Sequence, residues 1–180
     1  MNLPACWEQD LTRALNRRDL ESIRRLPKTD LHCHGSLSAA REAYSALSSQ
    51  PVPPPPVIFE TFAHFTDYLI KGFVPALTSS AQNVRTLLRA ALERTADDGV
   101  VYAEMSFDLM LPDFLKIPPE QFCEIVKDEC QAIRPRLRIV PEIGVGRYLA
   151  PDNALARVDR WLSTEVFKSI DLYDDEAING

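Results

Sequence analysis

Hydrophobic positions change their period several times along this chain, and each change marks an element. Between residues 6 and 26, Leu11, Leu15, Ile23 and Leu26 fall near helical spacing among charged neighbours, which predicts a helix ended by Pro27. The run Thr29-Asp30-Leu31-His32-Cys33-His34 then predicts a short strand, left through a Gly35-Ser36-Leu37-Ser38 loop. A helical stretch over about 39–47 follows. Pro51-Val52-Pro53-Pro54-Pro55-Pro56 must be extended, and reads as a stiff, exposed surface loop. Phe59, Phe62, Phe65 and Leu69 recur at helical spacing, with Tyr68 and Phe73 nearby, and predict a helix packing an aromatic face onto the core, the alternative being one that lines a substrate entrance. A second helix over 80–97 carries Val84, Leu87, Leu88, Ala91 and Leu92, and Gly99 stops it.

From residue 100 the pattern becomes regular. Strands are predicted over 100–107, 137–145 and 166–172, separated by helices over 119–133 and 153–163. Such alternation implies parallel strands joined by right-handed crossovers, hence an α/β architecture. With the His32 strand this gives four β/α units in one domain spanning 1–180, with a helical excursion over 39–98 after the first strand.

The length of 180 residues suffices for one buried core. A net charge of −6 argues against broad binding to a phosphate backbone, so a small molecule or a protein is the expected partner and nucleic acid is not. Cys6, Cys33, Cys123 and Cys130 form no metal-type pair and no disulfide framework; Cys123 and Cys130, seven apart on a predicted helix, read as small core residues. The first fifteen residues carry Glu8, Asp10 and Arg13 and lack the apolar core of a signal peptide. No segment approaches the length of a membrane span, so a reduced cytoplasmic setting is expected.

The chemistry concentrates at strand ends. In a strand, side chains two apart share a face, so His32 and His34 converge while Leu31 and Cys33 point away. Two adjacent imidazoles are a ready nitrogen pair for a divalent metal, the alternative being structural histidines. The chain has three histidines, and the third, His64, sits on the predicted aromatic helix without a second ligand at suitable spacing. The other predicted strands also end in polar groups: Glu104, Ser106 and Asp108; Gly144, Gly146 and Arg147; and Asp171, Tyr173, Asp174, Asp175 and Glu176. In β/α barrels catalytic groups gather at these C-terminal ends.

Leu26-Pro27-Lys28-Thr29-Asp30-Leu31-His32-Cys33-His34, followed by Gly35-Ser36-Leu37, resembles the N-terminal signature of the adenosine deaminase family within the amidohydrolase superfamily. Val100-Val101-Tyr102-Ala103-Glu104 is similar to the family's second-strand segment, 137–147 to its third, and Ile170-Asp171-Leu172 leading to Asp175-Glu176 to its fourth. The resemblance implies the first four units of a (β/α)8 TIM-type barrel, a half-barrel, with the excursion as a lid over a purine pocket. It implies hydrolytic deamination of adenosine or a related aminopurine on one catalytic Zn2+, with His32 and His34 as two of its ligands. The family's third histidine ligand, proton-shuttling glutamate, further histidine and metal-side aspartate come from later strands that this chain does not contain. His64 lies in the wrong place, so the third ligand is not expected from within the chain.

Two departures fall on substrate recognition. The family's Leu-acidic pair between the second histidine and Gly-Ser is missing, so His34 runs directly into Gly35 and Ser36, the expected substrate-side residues. On the fourth strand Asp174 stands where the family has glycine. These changes keep open an amidohydrolase acting on a different aminopurine. A non-catalytic remnant, or a split-enzyme subunit acting by protein–protein association, is the other alternative. A lone half-barrel would expose unpaired strand edges, so a homodimer or a complementing C-terminal half is expected, and the isolated chain is expected to be inactive.

Overall fold

The computed structural model describes residues 6–175. Two short helices come first, α1 (Trp7–Arg17) and α2 (Leu20–Arg25). The single helix expected over 6–26 is therefore broken. Arg18 adopts a left-handed conformation (φ 54°), and Asp19 then caps α2 by accepting from the Ser22 N–H at 3.0 Å.

Strand β1 (Lys28–His34) follows, then a 3-10 turn over Gly35–Leu37 and helices α3 (Arg41–Leu47), α4 (Phe62–Gly72), α5 (Val74–Leu77) and α6 (Ala81–Asp97). The chain continues through β2 (Val100–Asp108), α7 (Leu111–Leu115), α8 (Pro119–Ile133), β3 (Arg138–Gly146), α9 (Pro151–Leu162) and β4 (Ser169–Tyr173). The short α7 has no counterpart in the sequence expectation. Of the 39–98 segment, α6 packs as the crossover helix between β1 and β2, through buried Val84, Leu87, Leu88, Ala91 and Leu92, and α3 to α5 make the excursion.

All strand pairings are parallel, in the order β1-β2-β3-β4. The core lies on one face of this sheet. Ala103, Met105, Phe107, Ile143 and Val145 point outward under α6, α8 and α9, where Phe107, Phe122, Trp161 and Phe167 form an aromatic cluster with ring centroids 4.8–6.3 Å apart. The opposite, concave face is polar: Glu104, Ser106, Asp108, Glu142 and Asp171 occupy it, with Tyr102 donating to Glu104 Oε1 at 2.8 Å and Ser169 to Glu142 Oε1 at 2.7 Å. The outer faces of the two edge strands are uncovered, with Leu31, Ile170 and Leu172 all more than half exposed.

The aromatic helix departs from expectation. Phe62 and Phe65 are exposed and pack on each other, with Phe65 also against Phe59, instead of entering the core; Phe73, beyond the helix end, is the ring that is buried, against Tyr44 at 4.8 Å. The apolar stripe of α4 is divided: Tyr68 and Leu69 pack against the core, whereas Phe62 and Phe65 at its N-terminal end stay exposed. The proline segment is extended as expected and is pinned by buried Val52, whose N–H donates to Ser45 Oγ at 2.9 Å. Cys123 is buried and Cys130 half-buried against the core, in line with the core reading. Among the described residues no helix is long and apolar enough to cross a membrane.

Candidate metal centre

His32 and His34 end β1 with their rings edge to face, centroids 5.2 Å apart, as the two-residue strand period requires. The turn that follows is held tightly. Ser38 Oγ donates to the His34 carbonyl at 2.6 Å, and the buried Tyr44 hydroxyl donates to the Ser36 carbonyl at 2.8 Å. Gly35 is buried beneath Phe107 and Met105, where an added Cβ would lie 2.6 Å from the Phe107 ring. A side chain directly after His34 would therefore force Phe107 and Met105 to shift.

The sheet brings a third group to the pair. β1 and β4 are opposite edges of a four-stranded sheet, some ~14 Å apart if it were flat. Yet His32 Nδ1 lies 3.9 Å from Asp171 Oδ1, and the His34 ring lies 5.3 Å from that of Tyr173. Only a strongly curled sheet permits this, so the four strands form an open half-barrel whose concave side holds the histidines. One ligand-type atom from each of His32, His34 and Asp171 lies within 4.8 Å of the others. Asp171 was legible only as one of several polar residues ending the fourth strand. Its position between exposed Ile170 and Leu172 marks it, through the same two-residue period, as facing inward.

Electrostatics favour neutral imidazole here. Burial is the main cause lowering the pKa of His34, assisted by His32 and opposed by the Asp171 and Asp108 carboxylates. A neutral ring keeps a nitrogen lone pair free for a metal. Cys33 points away from the pair, and burial pushes its thiol up to about 12. Above the histidines, Tyr173 donates to Asp108 Oδ2 at 2.6 Å while the Met110 N–H donates to Asp108 Oδ1 at 2.6 Å. Burial and the Asp108 charge hold the Tyr173 hydroxyl protonated well beyond its ordinary range. Three polar atoms at the ends of β2, β3 and β4 are buried without a partner: Ser106 Oγ, Arg147 Nε and Asp171 Oδ2.

Asp174 adopts φ 102°, a backbone conformation that disfavours a side chain. The glycine expected here from the resemblance would relax it. Asp174→Gly should therefore raise stability by about 1 kcal/mol, read as a Tm increase of about 2–4 °C; a fall in Tm would show that the Asp174 side chain contributes more than its backbone costs. Glu176 lies outside the described residues. His64 is exposed on α4 against the Phe59 ring and does not join the other two histidines.

The chain is 23% identical over 163 residues, 91% of its length, to a putative adenosine/adenine deaminase of Treponema pallidum. It superposes with a TM-score of 0.65 on an amidohydrolase from Burkholderia ambifaria solved with bound Zn, at 18% identity, covering 86% of this chain and 46% of that one. The TM-score is also 0.65 on the N6-methyl-AMP deaminase of Arabidopsis thaliana, at 20% identity, covering 89% of this chain and 53% of that one. This chain has the fold of half a (β/α)8 TIM-type barrel, as in these amidohydrolases. Its resemblance is to the adenosine deaminase family, and it spans about half the length of the curated relative it matches, 54%. No family model matches it.

Proposed function

We propose that this chain supplies the metal-binding strands of an adenosine deaminase-like hydrolase, acting on adenine, adenosine or a related aminopurine. The observation that carries the reading is the convergence of His32, His34 and Asp171 at the C-terminal ends of parallel strands, the end where β/α barrels do their chemistry. The Treponema relative's name and the bound Zn of the Burkholderia structure support it.

The donor set fits a zinc ion: two imidazoles, one of them kept neutral by burial, beside a carboxylate oxygen that no protein group satisfies. Zinc held there would supply Lewis acidity and a nucleophilic water at neutral pH. The residues around it have separate tasks. His32 and His34 hold the ion, and the hydrogen bonds onto the His34 and Ser36 carbonyls keep the end of β1 in place. Asp108 clamps Tyr173, whose ring walls the site beside His34. Gly35, Ser36 and Asp174 border the space where the purine would lie, and the α3–α5 excursion with its exposed aromatic rings would cover it.

Proton transfer to the ring needs an acid facing the substrate. Asp108, which lies at the site through its bond from Tyr173, has both oxygens engaged. We therefore expect the 180-residue chain alone to be inactive, with activity requiring the strands that close the barrel, from a complementing half or a partner chain. A reducing cytoplasm belongs to the same proposal.

The test is ammonia release from adenine, adenosine, AMP and N6-methyl-AMP, the last releasing methylamine, followed with zinc supplied. The chain alone should turn over none of them. The protein in its native assembly should turn over at least one, and His34→Ala should lower that rate by roughly 10³-fold or more. No turnover of any of the four by the assembled protein would defeat the proposed function. Turnover by the purified chain alone, abolished by His32→Ala, would defeat the expectation of inactivity.

A further inference from the structure

We infer that Asp171 is itself a metal ligand, so that two imidazoles and one carboxylate complete a three-group site within this chain. This rests on reading His32 and His34 as a metal pair and extends it. The resemblance places every further ligand on later strands; the geometry points to one already present on β4.

Three observations carry the inference. The first is distance. His32 Nδ1 and Asp171 Oδ1 are 3.9 Å apart, too far for a hydrogen bond. Two ligand atoms on a tetrahedral ion with metal–ligand bonds of about 2.0–2.1 Å lie about 3.4 Å apart, so a small closure around an ion reaches that spacing. The second is burial without a partner. The Asp171 side chain is 12% exposed, and its Oδ2 is buried with no donor in reach. A carboxylate oxygen in that state is costly unless a cation or a donor meets it. The obvious donor on the same strand, the Tyr173 hydroxyl, is committed to Asp108.

The third is clearance. In the sheet register Asp171 lies beside Gly144, and Gly144 lies beside Asp108. A Cβ at Gly144 would lie 2.6 Å from Ser106 Oγ and 3.0 Å from the Tyr173 ring, so β3 presents no side chain at that level. That absence lets Tyr173 reach across to Asp108 and leaves the Asp171 carboxylate facing the histidines. A set of two histidines and one carboxylate suits zinc, iron(II) and cobalt(II) alike, leaving positions open for water or substrate.

The competing role is that of an outer partner, with Asp171 accepting from His32 Nδ1–H while the other ring nitrogen holds the metal. Removal of an outer partner costs about 10–100-fold in affinity, and the ion keeps its ligand field. Cobalt(II) separates the two roles. The chain is titrated with Co2+, reading affinity by calorimetry and coordination by the visible d–d bands, with circular dichroism confirming each variant's fold.

The expected result is one Co2+ per chain. Asp171→Ala and the near-isosteric Asp171→Asn should each weaken binding by more than about 100-fold and shift the bands, with His64→Ala unchanged. A smaller loss, or bands identical to those of the unaltered chain, overturns ligation by Asp171 and leaves the histidine pair standing. No Co2+ uptake by the unaltered chain overturns both.

Discussion

Replacing both Arg85 and Arg89 by alanine is expected to destabilise the fold by about 3–5 kcal/mol. Both lie on α6 and converge on Glu129 of α8. Arg85 donates to Oε1 at 2.9 Å, and Arg89 donates to Oε2 and Oε1, each at 2.9 Å. Glu129 is 2% exposed, whereas the arginine side chains are 30% and 58% exposed. That asymmetry decides the effect. Without the arginines a carboxylate is stranded in the helix–helix contact, while without Glu129 the guanidinium groups turn to water. Glu129→Leu should therefore cost much less than the double arginine change, because leucine refills the contact and leaves no buried charge behind. Urea unfolding measures the two directly, and heating should show a Tm fall of about 6–20 °C for the double variant. Equal losses for both would mean that the burial of Glu129 is not what makes the pair matter.

Gly99→Ala is expected to cost about 3 kcal/mol or more, although Gly99 lies at the opposite end of the sheet from the histidines. Gly99 has φ 82°, and an added Cβ would lie 2.0 Å from the Arg24 carbonyl oxygen and 2.8 Å from that of Leu26. Both obstacles are backbone and cannot rotate away. The same junction begins the sheet, for the Lys28 N–H donates to the Gly99 carbonyl at 3.0 Å. The Lys28 ammonium meanwhile donates to the Ile23 carbonyl at the end of α2 at 2.9 Å. An alanine would push α2 off the end of β1 and disturb the first ladder contact. Denaturant unfolding should report the loss, while Co2+ affinity in the fraction that stays folded should match that of the unaltered chain. A loss below about 1 kcal/mol would mean that α2 moves aside at little cost.

These two sites stand in different relations to the sequence. Gly99 was legible as a helix stop, because a glycine after a long amphipathic run has few other uses; its pressure against Arg24 and Leu26 was not. The arginine–glutamate triad left no local signal, since its members are 40 and 44 residues apart and look like ordinary surface charges on two amphipathic helices.

The local periods carried most of the architecture. The helix over 119–133 and the parallel strand order follow from patterns of 3.6 and 2 residues, and so does the shared face of His32 and His34, because neighbouring backbone geometry alone sets each of them. The break at Arg18, the short α7 and the exposed N-terminal rings of α4 escaped those patterns. A two-residue cap can interrupt an apolar stripe, and a stripe says only that a face is apolar, never what lies over it. Asp171 escaped for a deeper reason. Its approach to His32 joins the two outermost strands across 139 positions of chain, and depends on how far twist accumulates over three parallel pairings. The sequence by itself determined which side chains face inward on each strand. The curl of the assembled sheet decided which of them meet, because that distance is a sum over the whole sheet and is written in no single segment.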